Sequence, residues 1–115
     1  MSLDIINIID IKKVLDKYIE EIRPPEEMRS ELDINYKIED QDVIIYEIRP
    51  RFGKPEIKIE SDIAKTTYIK AKGIWKIFWK RADLKWHSYG PNPTVKTIKD
   101  FLDIVDEDKY GCFWG

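Results

Sequence analysis

Seven side chains of this sequence have types that do chemistry when a fold gathers them: Glu47, Arg49, Lys76, Lys80, Lys85, His87 and Tyr89. Arg49 offers a planar, two-pronged donor for a carboxylate or phosphate, and the lysines add point charge, so one expectation is a shallow anion-binding surface. The plainer expectation is cross-strand charge pairing, worth roughly 0.2–1 kcal/mol per pair. His87 is the single histidine. Histidine is the side chain suited to proton transfer near neutral pH, and this one would act as a general acid or base if Glu47 fixed its tautomer. That enzymatic reading has the least behind it. The chain has no nucleophile motif, no glycine-rich phosphate loop and no paired-histidine metal set, and Ser88, next to His87 in a strand, points to the opposite face. No catalytic residue, metal site or cofactor is assigned.

Five of the seven lie in or beside one stretch. Ile74 to Tyr89 packs three tryptophans and five basic residues, His87 included, into sixteen positions. Its alternation describes a hairpin. Trp75, Ile77 and Trp79 share one face of the first strand and Lys76, Phe78 and Lys80 the other; after a turn at Arg81-Ala82-Asp83, Leu84, Trp86 and Ser88 oppose Lys85, His87 and Tyr89. With the tryptophan faces inside, Lys76, Lys80, Lys85, His87 and Tyr89 become neighbours on the solvent side. In Val43 to Arg49 the same logic assigns Ile44, Tyr46 and Ile48 to the core and Glu47 and Arg49 to the open face.

The rest of the chain supplies a scaffold. Ile8, Ile11, Leu15, Tyr18 and Ile22 recur at spacings of three and four, the stripe of an amphipathic helix, with Asn7 as N-cap and Arg23-Pro24-Pro25 as its stop. Pro25 to Arg29 allows one further short turn. Leu32 to Glu39 alternates strictly and turns at Asp40-Gln41-Asp42 into Val43 to Arg49. Arg49 to Pro55, with two prolines and a glycine, reads as an irregular link. A third strand covers Ile57 to Ile59 or, more strongly, Ala64 to Ala71. After Gly90-Pro91-Asn92-Pro93, a second helix starts with Asn92 or Thr94 as its cap and buries Val95, Ile98, Phe101 or Leu102, and Val105. The expected architecture is α+β: an antiparallel meander of about five strands with an N-terminal and a C-terminal helix on one face.

Composition bounds the function classes. A chain of 115 residues with 43% hydrophobic and 37% charged content suits a single globular domain spanning 1–115. No apolar run approaches the ~20 residues of a membrane span, and Leu3 to Ile11 lacks the basic leader of a signal peptide, so a cytoplasmic location is expected. Single copies of Cys112 and His87 exclude an internal disulfide and a clustered zinc or iron site. Charge is uneven: residues 1–47 carry 13 acidic and 6 basic side chains, whereas residues 64–89 carry 7 basic and 1 acidic. Either the split serves solubility or the basic stretch meets an anionic partner.

Several motifs are shared with a known family: Arg23-Pro24-Pro25, Glu47-Ile48-Arg49-Pro50, Ile63-Ala64-Lys65, the run Trp75 to Tyr89, and a closing Phe113-Trp114-Gly115. On these residues the chain resembles the small bacterial proteins of domain-of-unknown-function family 3024 over nearly its whole length. The resemblance implies a free-standing bacterial domain and carries no activity, substrate or site residue. The functional expectation is therefore a non-catalytic module that binds a protein or a small anionic ligand. Nucleic-acid binding through the basic face of the Trp-rich hairpin is the alternative, disfavoured because the tryptophans are assigned to the interior and the isoelectric point lies near 5.5. Ile5, Ile6 and Ile9, off the helical stripe, either widen its cover of the sheet or form a homodimer contact. Phe113 and Trp114 are expected to dock in a groove.

Overall fold

The computed structural model describes residues 5–114, with side chains from Asn7 onward. Helix α1, Ile5–Ile22, ends where Pro24 and Pro25 can no longer donate, and a 3-10 turn, Glu26–Met28, follows. Asn7 lies inside α1 and is not its cap. The predicted stripe is the buried one: Ile11, Leu15 and Tyr18 join Ile19 in the core, with Ile8 and Ile22 packed at its margin. Ile9 is exposed, and the side chains of Ile5 and Ile6 lie outside the described residues. Arg23 closes the turn onto the sheet by donating from Nε and Nη2 to the two carboxylate oxygens of Asp33, each at 2.7 Å. This two-pronged bond holds the Asp33 carboxyl below the ordinary carboxylate range.

Strands β1 (Asp33–Glu39), β2 (Asp42–Arg51), β3 (Lys54–Ile69), β4 (Ile74–Lys80) and β5 (Trp86–Ser88) form an antiparallel meander in chain order. A two-residue strand, β6 (Thr94–Val95), shares the outer edge of β4 with β5. Helix α2, Ile98–Glu107, is capped by Thr97, whose hydroxyl accepts from the Asp100 amide at 3.1 Å, rather than by Asn92 or Thr94. Ile98, Phe101, Leu102 and Val105 of α2 pack with Leu15 of α1 and with Val43, Ile45, Ala64, Trp75 and Ile77 of the sheet. The chain is thus α+β, with both helices on one sheet face and the other face open.

Two strands run in the opposite phase to that expected. Val43 and Ile45, not Ile44, Tyr46 and Ile48, face the helices. Val43 to Tyr46 is apolar on both sides, so its own periodicity cannot choose. The two-residue turn Asp40-Gln41 chooses, with Asp40 at φ 53, by pairing Glu39 with Asp42 and hence Ile38 with Val43. In β5, Trp86 and Ser88 share the open face with Lys80 and Phe78, while His87 pairs with Trp79 on the helix side and Tyr89 is 2% exposed in the core. The cause is a longer loop than expected. Leu84, 77% exposed with φ 63, belongs to the turn and not to the strand.

Arg49 to Pro55 belongs to the two strands and the turn between them and is not a separate link, although its pairing is irregular, with a register shift between Pro50 and Arg51. Arg49 pairs with Ile59, Pro50 with Lys58 and Arg51 with Lys54 around Phe52-Gly53, so β3 is one strand of 16 residues. Both prolines are tolerated because no third strand flanks the ladder there. At the other end the C-terminal tail is docked as expected. Asp108, left-handed at φ 42, accepts from the amides of Phe113 and Trp114 at 3.0 and 2.8 Å, and Trp114 Nε1 donates to the Val105 carbonyl at 3.1 Å.

One polar atom in the core is expensive. The Tyr18 hydroxyl is buried and has no hydrogen-bond partner among the described residues. Its burial, with Asp106 and Asp103 close by, pushes the phenol well above its ordinary range. Tyr18→Phe keeps the ring and removes that desolvated group, so urea denaturation is expected to show a variant stabilised by about 1 kcal/mol. A loss of stability would mean that the hydroxyl is satisfied.

Candidate functional site

The predicted set does not assemble. Lys76 and Lys80 lie on the open face as expected. Glu47 and Arg49 lie on the helix side of β2, ion-paired with each other at 3.1 Å. Lys85 sits in the loop before β5, where its amide donates to Asp83 Oδ1 at 3.0 Å. His87 lies on the helix side at the sheet edge, its Nε2 2.9 Å from Asp83 Oδ2. Tyr89 is interior, its ring 5.0 Å from that of Phe113. The Lys85 amide and His87 together hold the Asp83 carboxyl below its ordinary range. Glu47 cannot orient His87, because the strand order places β2 three strands from β5, about 14 Å at the usual spacing.

What the open face does gather is a different set. Thr67 pairs with Lys76 and Lys65 with Phe78 across β3 and β4; Lys80 pairs with Trp86; Ile44 pairs with both Lys37 and Lys65; and Tyr46 pairs with Asp62. These pairings bring three aromatic rings, Tyr46, Phe78 and Trp86, onto one surface with four lysines. Lys65 Nζ stands 4.9 Å from the Phe78 ring centroid and 5.1 Å from that of Trp86. Lys80 Nζ stands 5.2 Å from the Trp86 centroid as well, and Lys37 Nζ 5.3 Å from that of Tyr46. Each is a cation–π contact worth about 0.5–1 kcal/mol at a partly wet site. Asp62 sits among them, 3.7 Å from Lys37 and 3.4 Å from Lys80, and fixes both ammonium groups beside the rings.

The local sequence explains this surface. The run Lys76-Ile77-Phe78-Trp79-Lys80 sends its lysines and Phe78 one way and its core residues the other. A bulge between Ile45 and Tyr46 re-registers β2 on β3, so that Tyr46 meets Asp62 directly. Ile44, only 6% exposed although it faces away from the helices, shows how closely the long side chains cover the face. Tyr46, Phe78 and Trp86 remain half-buried. Sequence reasoning placed Lys76, Phe78 and Lys80 together but missed Trp86, Tyr46, Lys37, Lys65 and Asp62. The tight turn at Asp40-Gln41 held the signal for Tyr46.

No comparable constellation occurs elsewhere among the described residues. A groove of about 370 Å³ between the helices is lined by Val14, Lys17, Tyr18, Glu21, Lys99, Leu102 and Asp103; Lys99 and Asp103 pair with each other at 3.0 Å, and the groove gathers no aromatic–cation cluster like that of the open face. Among the described residues no group of three or more histidine, cysteine, aspartate or glutamate side chains is placed to hold a metal ion. No helix there is long and apolar enough to cross a membrane. Cys112 is half-buried, and burial raises its thiol pKa, the opposite of an activated nucleophile. A family model described as a domain of unknown function (DUF3024) matches residues 4–115. No curated protein and no solved structure matches the chain.

Proposed function

We propose that this protein, which belongs to the family described as domain of unknown function DUF3024, binds single-stranded nucleic acid on the open face of its sheet. The observation that carries the reading is the placement of Lys65 between Phe78 and Trp86, within about 5 Å of both ring centroids. Single strands are held by rings that stack on bases combined with cations that track the phosphates, and stacking is indifferent to sequence because every base has a π-face. Of the two grounds against this partner, interior tryptophans and a low isoelectric point, the first is weakened because Trp86 lies on the open face.

Overall acidity does not oppose the reading. The acidic excess lies in residues 1–47, much of which forms α1 and the turn after it. On the open face Lys37, Lys65, Lys76 and Lys80 share the register with Glu39, Asp42, Glu60 and Asp62, so the cations that count are the ones held locally against Phe78 and Trp86. The role is binding without catalysis, in the cytosol of a bacterial cell where single strands are met. A protein or small anionic ligand is the occupant if nucleic acid fails.

The test is fluorescence anisotropy of labelled single-stranded DNA and RNA against the purified protein across a salt series. Binding is expected to weaken at least about tenfold between roughly 50 and 200 mM salt, as counterion release requires for a few phosphate contacts. Lys65→Glu with Lys80→Glu is expected to abolish it while leaving the far-ultraviolet circular dichroism unchanged. No binding of wild type at low salt would overturn the proposal.

A further inference from the structure

Beyond the body of the sheet, β2 and β3 continue alone. β1 begins its pairing at Ile48 and β4 reaches β3 only from Ala64, so Arg49 to Ile59 is a two-stranded arm flanked by no other strand. At ~3.3 Å per residue its tip stands about 13 Å beyond Ile48. The protein is correspondingly long, 46 Å against 30 and 25 Å in the other directions. The pairing of the arm shifts register between Pro50 and Arg51, and its edges do not invite another strand. Pro50 and Pro55 remove edge donors, and Lys58 Nζ donates to the Ser30 carbonyl and ties the arm to the turn before β1.

The tip is Arg51-Phe52-Gly53-Lys54, turned by Gly53 at φ 80. Phe52 is fully exposed, the most exposed large apolar side chain described. Arg51 and Lys54 flank it, also exposed and without a hydrogen-bond or ion-pair partner among the described residues. Arg49 to Lys58 carries four basic residues and one acidic. A solvated phenyl ring is a liability unless something receives it. Here it is held on a braced ribbon between two free cations, so the receiving surface pairs an apolar slot with anionic walls. The exposed end of a base-paired helix has that chemistry, with a flat π-surface bounded by phosphates on either strand. The tip also lies on the same strand pair as Tyr46, six residues away, or about 20 Å.

We infer that the β2–β3 arm recognises a junction between single-stranded and duplex nucleic acid: Phe52 stacks on the terminal base pair, and Arg51 and Lys54 hold the phosphates that flank it. The inference rests on the open face holding the single strand, and it adds the duplex as the second element of the ligand.

Three labelled probes of matched length decide it: a single strand, a blunt duplex, and a duplex with a single-stranded tail. Each is titrated with full-length wild type, Phe52→Ala, and Lys65→Glu with Lys80→Glu. Wild type is expected to bind the tailed duplex at least about tenfold more tightly than the single strand, the increment of one base–aromatic stack with its flanking cations. Phe52→Ala is expected to erase that preference and to leave single-strand affinity within about twofold, since the ring makes no core contact. Equal wild-type affinity for tail and junction, or a junction preference that survives Phe52→Ala, overturns the arm and leaves the face standing. Phe52-dependent junction binding without any single-strand binding overturns the face and keeps the arm. Failure of all three probes, with Phe52-dependent sedimentation on phosphatidylserine vesicles, would overturn both and assign the tip to a membrane surface.

Discussion

Phe113→Ala is expected to destabilise the protein by about 3–4 kcal/mol, the ordinary cost of emptying a buried phenylalanine site. For a chain of this size that corresponds to a fall in melting temperature on the order of 12–16 °C. Phe113 is the third residue from the end of the sequence, a region where substitutions are usually harmless. It is nevertheless 6% exposed and packs 5.0 Å from the Tyr89 ring, next to residues of both helices and the sheet in the same core. The chain is steered there by the Asp108 carboxylate, which binds two consecutive tail amides, and by the indole of Trp114 on the Val105 carbonyl. With those restraints the tail cannot move far to fill the cavity, so little of the loss is recovered. Tyr110→Ala in the same segment, at a ring that is exposed, is the control and should melt within about 2 °C of wild type. Differential scanning calorimetry of both variants checks the prediction. If Phe113→Ala melts beside Tyr110→Ala, the tail is not part of the core.

The contrast between Phe113 and the hairpins marks where sequence was sufficient. Helix α1, β1 and the core side of β4 were legible because a single periodicity dominates each: Ile11, Leu15 and Tyr18 at helical spacing, and Ile34, Tyr36 and Ile38 at alternation. Tyr36 even signals its neighbour, its phenol donating to Asp16 of α1 at 2.6 Å. β2 was ambiguous because Val43, Ile44, Ile45 and Tyr46 are apolar in succession, and its phase is decided by turn length, a non-local quantity that reads from sequence only as a choice among turns. The arm was hidden by its prolines, which forbid an interior strand but not one without neighbours on its outer edges. The open face inherits these errors. Its lysines on β4 were legible and its aromatic residues on β2 and β5 were not, since each of those needed the register to be known first.

Trp75→Ala and Trp86→Ala are expected to separate stability from binding, although the two residues share a hairpin and a side-chain type. Trp75 is 5% exposed, packs at a tilt against Tyr68 at 4.9 Å between ring centroids, and lies opposite Val95 of β6. Its removal should cost about 3–5 kcal/mol in urea denaturation, and the folded fraction should bind a single strand as wild type does. Trp86 is half-buried on the open face, and Lys65 and Lys80 cover it without enclosing it. Truncation there opens no cavity in the core, so the stability loss should stay near 1 kcal/mol, while single-strand affinity falls about tenfold or more with the loss of one stacking ring. The opposite phase for β5, with Trp86 inside and Tyr89 outside, makes the reverse forecast: Trp86→Ala would unfold the protein and Tyr89→Ala would be silent. A pair of denaturation curves therefore tests the register of the hairpin, and a pair of anisotropy titrations on the same proteins tests what that register is for. A Trp86→Ala variant that keeps both stability and affinity would leave the ring a cover for lysine stems, and the face without its reader.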